Sequence, residues 1–302
     1  MGVEGAVLNG KLKSLYDSAY SIVMVWTEAN ASAMGAAVAF YTIFAIAPLF
    51  ILVLALAGVV FGHQAAQGQL FEEIQKLIGR NGSQSVQSLL MAARQPKATL
   101  LATIVGFSTL FIGANSVFIQ LQQALNAIWN VRVKLSGVRR FFKYRFLSFL
   151  ALLGIGFILL VSLIISAGLD AVGKWMSGIV PAHIFIWKTI DFATSLGIIT
   201  LLFAMIFKML PDVRIAWRDV WVGSLITALL FTVGKFLLGA YLGRSSLSSA
   251  YGALGSFVVV LLWVYYSAQI LLLGAAFVRV YADRYGSHSR PGADAEFANN
   301  HH

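Results

Sequence analysis

The 302-residue chain contains no cysteine. Disulfides, thiol nucleophiles and cysteine-based zinc or iron–sulfur sites are therefore excluded. Charge is also scarce, with Asp, Glu, Lys and Arg making up 11% of the residues, where a soluble domain carries roughly 25%. Acids are the rarer kind: 12 stand against 22 basic residues, for a formal net charge of +10. Apolar residues fill the space, at 59% of the chain and a mean hydropathy of +0.81, where roughly 45–50% is usual. A soluble fold of this length would need far more polar side chains to cover its exterior. A secreted globular enzyme, a disordered protein and a dedicated nucleic-acid-binding domain are all excluded. The chain is built to place apolar surface against lipid.

A membrane-crossing helix needs about 20 mostly apolar residues, so stretches without charge locate the spans. They predict an all-α integral membrane protein forming one domain over residues 1–285, with six spans near 34–62, 98–121, 146–169, 184–208, 218–241 and 253–279. Six spans place both termini on one side, and cations choose that side. Lys11 and Lys13, the run Arg132, Lys134, Arg139, Arg140, Lys143 and Arg145, then Lys208, Arg214, Arg218, Arg279, Arg284 and Arg290 fall on one face. Only Lys76, Arg80, Arg94, Lys97, Lys174, Lys188 and Arg244 fall on the other. Fourteen against seven predicts cytoplasmic termini. The six cations from Arg132 to Arg145 include no acid and are expected to meet anionic lipid headgroups.

Three further segments complete the organisation. Leu8, Leu12, Leu15, Ala19, Val23 and Trp26 recur at three- and four-residue steps, the pattern of an amphipathic helix on the cytoplasmic interface or packed beneath the bundle. Asp17 and Glu28 interrupt this stretch, so no cleavable signal peptide is read there. Between the first two spans, the apolar stripes Leu70–Ile78 and Val86–Ala93 flank Asn81-Gly82 and predict an external helical hairpin. Residues 286–302 read as a disordered tail, whose final Asn299-Asn300-His301-His302 has the look of a purification-tag remnant.

Enzyme chemistry finds no foothold. His63, His183 and His288 are isolated, none at metal-ligand spacing from a second ligand. Gly252-x-x-Gly255 follows no strand and precedes no phosphate-binding Lys-Ser/Thr. Neither metal nor cofactor is expected, and no nucleic-acid partner.

Residues suited to a polar pathway are more evident. Lys235 lies within the fifth span and Asp191 toward the outer end of the fourth. Both are 22 residues from the turn centred on Val213, which would bring them to one depth as an ion pair, although each could also snorkel separately. Asn115 and Gln120 could line a hydrophilic path, while Gln122, Gln123, Asn126 and Asn130 mark the cytoplasmic end of the second helix. Pro48 interrupts the first span and is the hinge candidate. Gly239-x-x-x-Gly243 permits close helix approach; with Arg244 and Tyr251 nearby, the same small-residue stretch could instead line a polar cavity.

Three motifs carry a family resemblance. Ala36-Ala37-Val38-Ala39-Phe40-Tyr41 followed by Pro48 is one, and Leu210-Pro211-Asp212-Val213 leading to Trp217-Arg218-Asp219-Val220 is a second. The third is Tyr251-Gly252-Ala253-Leu254-Gly255-Ser256, continuing through Leu262-Trp263-Val264-Tyr265 to Gly274-Ala275. In order and spacing, residues 15–285 resemble the YihY/BrkB family of bacterial inner-membrane proteins. The resemblance implies six helices with cytoplasmic ends, an association with virulence, and for some members a link to envelope lipid or lipopolysaccharide transport. The family's former label, ribonuclease BN, has no support here, because the His/Asp metal cluster of a nuclease is missing. Two function classes follow: a transporter or flippase for an amphiphilic or anionic envelope molecule, and a non-enzymatic scaffold for envelope assembly.

Overall fold

A backbone in hydrocarbon must satisfy its N–H and C=O groups internally, so apolar runs of this length become helices. The structure is a computed structural model that describes residues 2–43, 75, 83–84, 87, 116–134, 183–244, 255–292 and 295–298. Its elements, in chain order, are α1 (Gly2–Glu28), α2 (Ala31–Ile43), α3 (residues 116–128), β1 (Val131–Val133), α4 (His183–Met209), β2 (Val213–Arg214), α5 (Trp217–Arg244), α6 (Gly255–Tyr285), β3 (Arg290–Pro291) and β4 (Ala295–Phe297). Three helices are long and apolar enough to cross a membrane: Phe192–Met209 in α4, Trp217–Tyr241 in α5 and Phe257–Tyr285 in α6. They coincide with the fourth, fifth and sixth spans expected from the charge-free runs. The bent pair α1–α2 makes a fourth if it is one span. The span near 146–169 and the external hairpin lie outside the described residues; of the hairpin, only Gln75, Ser83, Gln84 and Gln87 are described, each helical.

Helix ends are set by residues that tolerate a left-handed backbone. Asn30 (φ 50°) separates α1 from α2, which bend by 58°, and Asn130 (φ 51°) closes α3. Asparagine adopts this conformation more readily than other non-glycine residues. α4 stops at Leu210-Pro211, because proline cannot donate the next helical bond.

α5 packs between α4 and α6, and α1 lies along α6. The buried core joins Leu125, Ile128 and Trp129 of the α3 end to Phe203 and Phe207 of α4, Val220 of α5 and Leu272 and Val278 of α6. A ring ladder crosses it: Phe203 meets Phe231 at 5.8 Å and Phe231 meets Trp263 at 6.0 Å.

α1 divides the stripe read from its sequence. Ile22, Val25 and Trp26 pack on the core, whereas Ala19 and Val23 are exposed. Its rotation follows from Ser18 and Ser21, whose hydroxyls accept from Arg284 at 2.9 and 2.7 Å, and from Ser14, which bonds Tyr285 at 3.2 Å. The described face of α1 therefore docks on α6 through serines, a contact pattern of the packed placement rather than of a helix resting only on lipid.

Over its described residues, 286–292 and 295–298, the tail corrects the expectation of disorder. β3 pairs antiparallel with β2 (Val213 opposite Pro291, Arg214 opposite Arg290), and β4 with β1 (Val131 opposite Phe297, Arg132 opposite Glu296). The residues after α6 thus return across the ends of α3, α4 and α5 as a cap. Low hydropathy in this stretch signalled an exterior position, and pairing partners far away in sequence supply the order.

Candidate functional site

Two polar regions stand out in this apolar molecule. The first is the cap. Asp212, just beyond Pro211, accepts on Oδ2 from Asn126 Nδ2 at 3.0 Å and from Gln122 Nε2 at 3.1 Å. Its backbone N–H donates to Asn126 Oδ1 at 2.9 Å, and its carbonyl accepts from Gly292 N–H at 2.8 Å. Gln122 and Asn126 are one turn apart on α3 and buried. One aspartate thereby joins α3, the α4–α5 turn and the tail.

Asp219 performs the matching task in the first turn of α5. It is 3% exposed, and its Oδ2 accepts both the N–H and the hydroxyl of Ser287, at 2.9 and 2.8 Å. A carboxylate in a helix's first turn also meets the positive end of the macrodipole. Gly286 lies so close that a Cβ there would overlap the Asp219 carboxylate. Two cations satisfy further backbone carbonyls near the cap. Arg279 Nη1 donates to the Ile128 carbonyl at 2.6 Å, satisfying the last residue of α3. The Lys208 ammonium donates to the Ile215 carbonyl and sits 5.4 Å from the centre of the Trp217 ring.

The second region is a belt at the level of the α1–α2 break. Ser224, Ala228, Phe231 and Lys235 follow one another at four- and three-residue steps on α5, so they share a helix face. Ser224 and Ala228 are fully buried and Phe231 packs on the core, so this face turns inward, with Lys235 half-buried at its far end. The Lys235 ammonium is 5.8 Å from the Phe236 ring centre. Exposed Leu225, Leu229, Val233, Phe236 and Leu237 occupy the opposite flank. The hydroxyl of Tyr266 on α6 abuts Gly234, beside Lys235. Next to it, Tyr265 bonds the Ser32 hydroxyl at 3.0 Å, and Gln269 Nε2 donates to the Ser32 carbonyl at 3.3 Å. Gln269 Oε1 is buried with no hydrogen-bond partner among the described residues. Gln120 of α3 reaches Met34 Sδ at 3.8 Å.

The arrangement sets one cation and several hydrogen-bonding side chains within otherwise apolar helices. No cluster of three His, Asp or Glu residues suited to a metal occurs among the described residues. The oxygens of Asp212 and Asp219 named above are engaged in holding the cap together.

A family model described as virulence factor BrkB matches residues 22–299. The chain belongs to the BrkB family. Similar proteins include a UPF0761 membrane protein of Pseudomonas paraeruginosa, 30% identical over 255 residues that cover 80% of this chain and 57% of the relative. The UPF0761 membrane protein of Verminephrobacter eiseniae is 29% identical over 242 residues, 78% of this chain and 55% of the relative. That of Saccharophagus degradans is 27% identical over 271 residues, 87% and 59% respectively. The chain thus spans less than three-fifths of the length of these relatives. No solved structure matches it.

Within this BrkB-family chain, the structure brings Lys235 and Gln120 into helices around the belt. Asn115, Pro48, Tyr251, Arg139, Arg140, Lys143 and Arg145 lie outside the described residues, as do the side chains of Asp191 and Arg244, so the Asp191–Lys235 pairing lies outside them as well. Arg132 is exposed on β1, and Lys134 makes an ion pair with Glu296 at 3.2 Å. Among the described residues nothing lies within 4 Å of a Cβ at 239, whereas Gly223 and Gly274 each receive a side chain of the facing helix.

Sequence reasoning missed Asp212, Asp219, Ser287 and Gln269. A signal existed for the first two: between Asp191 and Asp283 they are the only acids, set in a basic connection. Gln269 stands alone in the long apolar run of α6, which is also an informative position.

Proposed function

We propose that this BrkB-family protein is a transporter or flippase of the bacterial inner membrane, moving an amphiphilic, anionic envelope molecule along the inward face of α5. The observation that carries this reading is the belt of Lys235, Tyr266, Gln269 and Ser32 beside a helix break. A charge within a span costs at least about 2.5–3.5 kcal/mol near the helix centre on insertion scales and is normally kept for a wet or ligand-bearing path. A broken helix exposes backbone carbonyls at the same depth, a device that transporters use to coordinate cargo. Lys235 supplies the positive charge for an anionic headgroup, while Asp191, Arg244, Tyr251 and Asn115 are further candidates for the path, and Pro48 for its hinge. The reaction involves movement and no covalent step.

Membrane depth is consistent with this role. Exposed Trp221 and Tyr241 on α5 are twenty residues apart, about 30 Å of helix and so the thickness of the hydrocarbon core. Lys235 lies six residues inside Tyr241, about 9 Å below that interface. Cytoplasmic termini follow from the cation count, and the segments carrying those cations, α1, β1, β2 and the tail, gather at one end of the helices.

The test is lipid scrambling in proteoliposomes holding a fluorescent phosphatidylglycerol, read by dithionite quenching. Protein should accelerate exchange between leaflets, and Lys235→Met should remove most of the acceleration without changing the amount of folded protein. Exchange equal to that of protein-free vesicles would leave the scaffold as the better reading.

A further inference from the structure

The two strand pairs of the cap differ in one respect that their backbones do not explain. On β1–β4, Arg132 stands opposite Glu296, which also pairs with Lys134. On β2–β3, Arg214 stands opposite Arg290. Val213 and Pro291 turn toward the core, so both arginines project from the outer face, and both are exposed. Like charges directly opposite each other oppose strand pairing. No acid among the described residues forms an ion pair with either.

Register cannot relieve the repulsion. Gly292 N–H donates to the Asp212 carbonyl at 2.8 Å immediately beyond the pair, and Gly292 packs against that carbonyl so closely that a Cβ would press on it. A slip of one residue would break this bond and turn Arg290 toward the core beside Val213. The register therefore holds two exposed arginines opposite each other on one face of the ladder. The partner that suits two neighbouring arginines is a phosphate, whose oxygens accept bidentate bonds from guanidinium groups.

Location says where the phosphate comes from. Arg214 is three residues before Trp217, which is 50% exposed, as is Trp221 at 45% one turn deeper. Exposed tryptophans on a spanning helix sit at headgroup level. Exposed Arg218, in the first turn of α5, adds a third cation.

We propose that Arg214 and Arg290, juxtaposed across the β2–β3 ladder, form a binding site for the phosphate of an anionic membrane lipid headgroup. The site lies at the capped end, away from the Lys235 belt, and stands whether or not the protein transports.

The experiment uses the full chain purified in a neutral detergent and delipidated. Thermal stability and native mass spectra are recorded with phosphatidylglycerol, with phosphatidylcholine and with inorganic phosphate. Wild type should be stabilised by phosphatidylglycerol alone and retain it as an adduct. Arg290→Glu copies the Arg132–Glu296 arrangement. It should raise stability without lipid and lower phosphatidylglycerol affinity by about tenfold or more, since one charge-assisted partner is lost and another reversed. Arg214→Gln with Arg290→Gln should lose the adduct equally, and Arg132→Gln should keep it. Undiminished binding in either ladder variant, an equal loss in Arg132→Gln, or saturation by inorganic phosphate with no further effect of phosphatidylglycerol would each overturn the proposal.

Discussion

Where α5 and α6 cross mid-way they meet through glycine, and where they reach the cap they are joined through a carboxylate. At Gly274 the Thr227 side chain fills the place of a Cβ, and at Gly223 the Val278 side chain does so. Two turns beyond Val278, Ser287 donates twice to the buried Asp219. The difference follows from solvent. Lipid tails are as apolar as leucine, so helices in the bilayer gain little by hiding apolar surface and depend on close fit. At the cap the backbone leaves regular helix, and its freed polar groups need named partners. Fit holds the crossing of the helix pair and hydrogen bonds hold its capped end.

The largest effect that separates these two modes belongs to the crossing. Gly274→Leu should destabilise the protein by about 3 kcal/mol or more, because the obstructing atoms belong to the short Thr227 side chain beside the α5 backbone, which cannot swing away. Thermal unfolding in detergent checks it. Gly239→Leu is the control, with open space at that position among the described residues, and should cost under about 1 kcal/mol. Comparable losses at the two positions would break the argument from fit.

Next comes Asp212→Ala. Removing its carboxylate leaves the amides of Gln122 and Asn126 buried without the acceptor they share, a loss of about 1–3 kcal/mol. Hydrogen exchange should rise around Gly292 and β3 while α5 and α6 near Gly274 stay protected. Uniform loss of protection would mean that cap and crossing are one cooperative unit.

The spans were legible because hydrocarbon imposes a rule on contiguous sequence. The run between Asp191 and Lys208 became the apolar window of α4, and the runs on either side of Arg244 became α5 and α6. Lys235 was legible for the same reason, as a charge where charge is costly. The cap was not legible. Asp212 lies 86 residues from Asn126, and Asp219 lies 68 from Ser287, and no local periodicity reports a pairing across such distances. Polarity marked Gln122 and Asn126 as the end of a helix, but nothing local pointed to Asp212 as the acceptor they share. The tail was missed for the same reason: it read as disordered, while the backbone bonds that order β3 and β4 belong to residues that any sequence could supply.

A smaller effect is expected at Asp219→Asn. The amide oxygen still accepts from Ser287, so only the interaction of the charge with the helix terminus is lost, about 0.3–1 kcal/mol at an exposed end and up to about 2 kcal/mol when partly buried. Unfolding measured above the carboxylate range should show the loss. Asp219→Ala, which removes the acceptor as well, should cost more. Equal losses would assign the role of Asp219 to charge alone.

The smallest effect tests whether the cap depends on its buried or its exposed groups. Lys134 and Glu296 are each more than half exposed and 3.2 Å apart. Such pairs are worth about 0.2–1 kcal/mol, because water screens them and two long side chains must be held still. Glu296→Gln keeps the strand backbone and removes the charge facing both Lys134 and Arg132. The expected loss is under about 1 kcal/mol at low ionic strength, and it should shrink toward zero in about 1 M salt, where the screening length falls to about 3 Å. The check is the difference in unfolding temperature between wild type and variant across a salt series, set beside the same series for Asp212→Ala. That second difference should barely move with salt, since Gln122 and Asn126 are neutral and buried. A Glu296→Gln loss that persists in high salt would place an anchor of the tail in the β1–β4 ladder, and the contrast between a cap held by Asp212 and Asp219 and a crossing held by fit would have to be redrawn with the strand pairs as a third element.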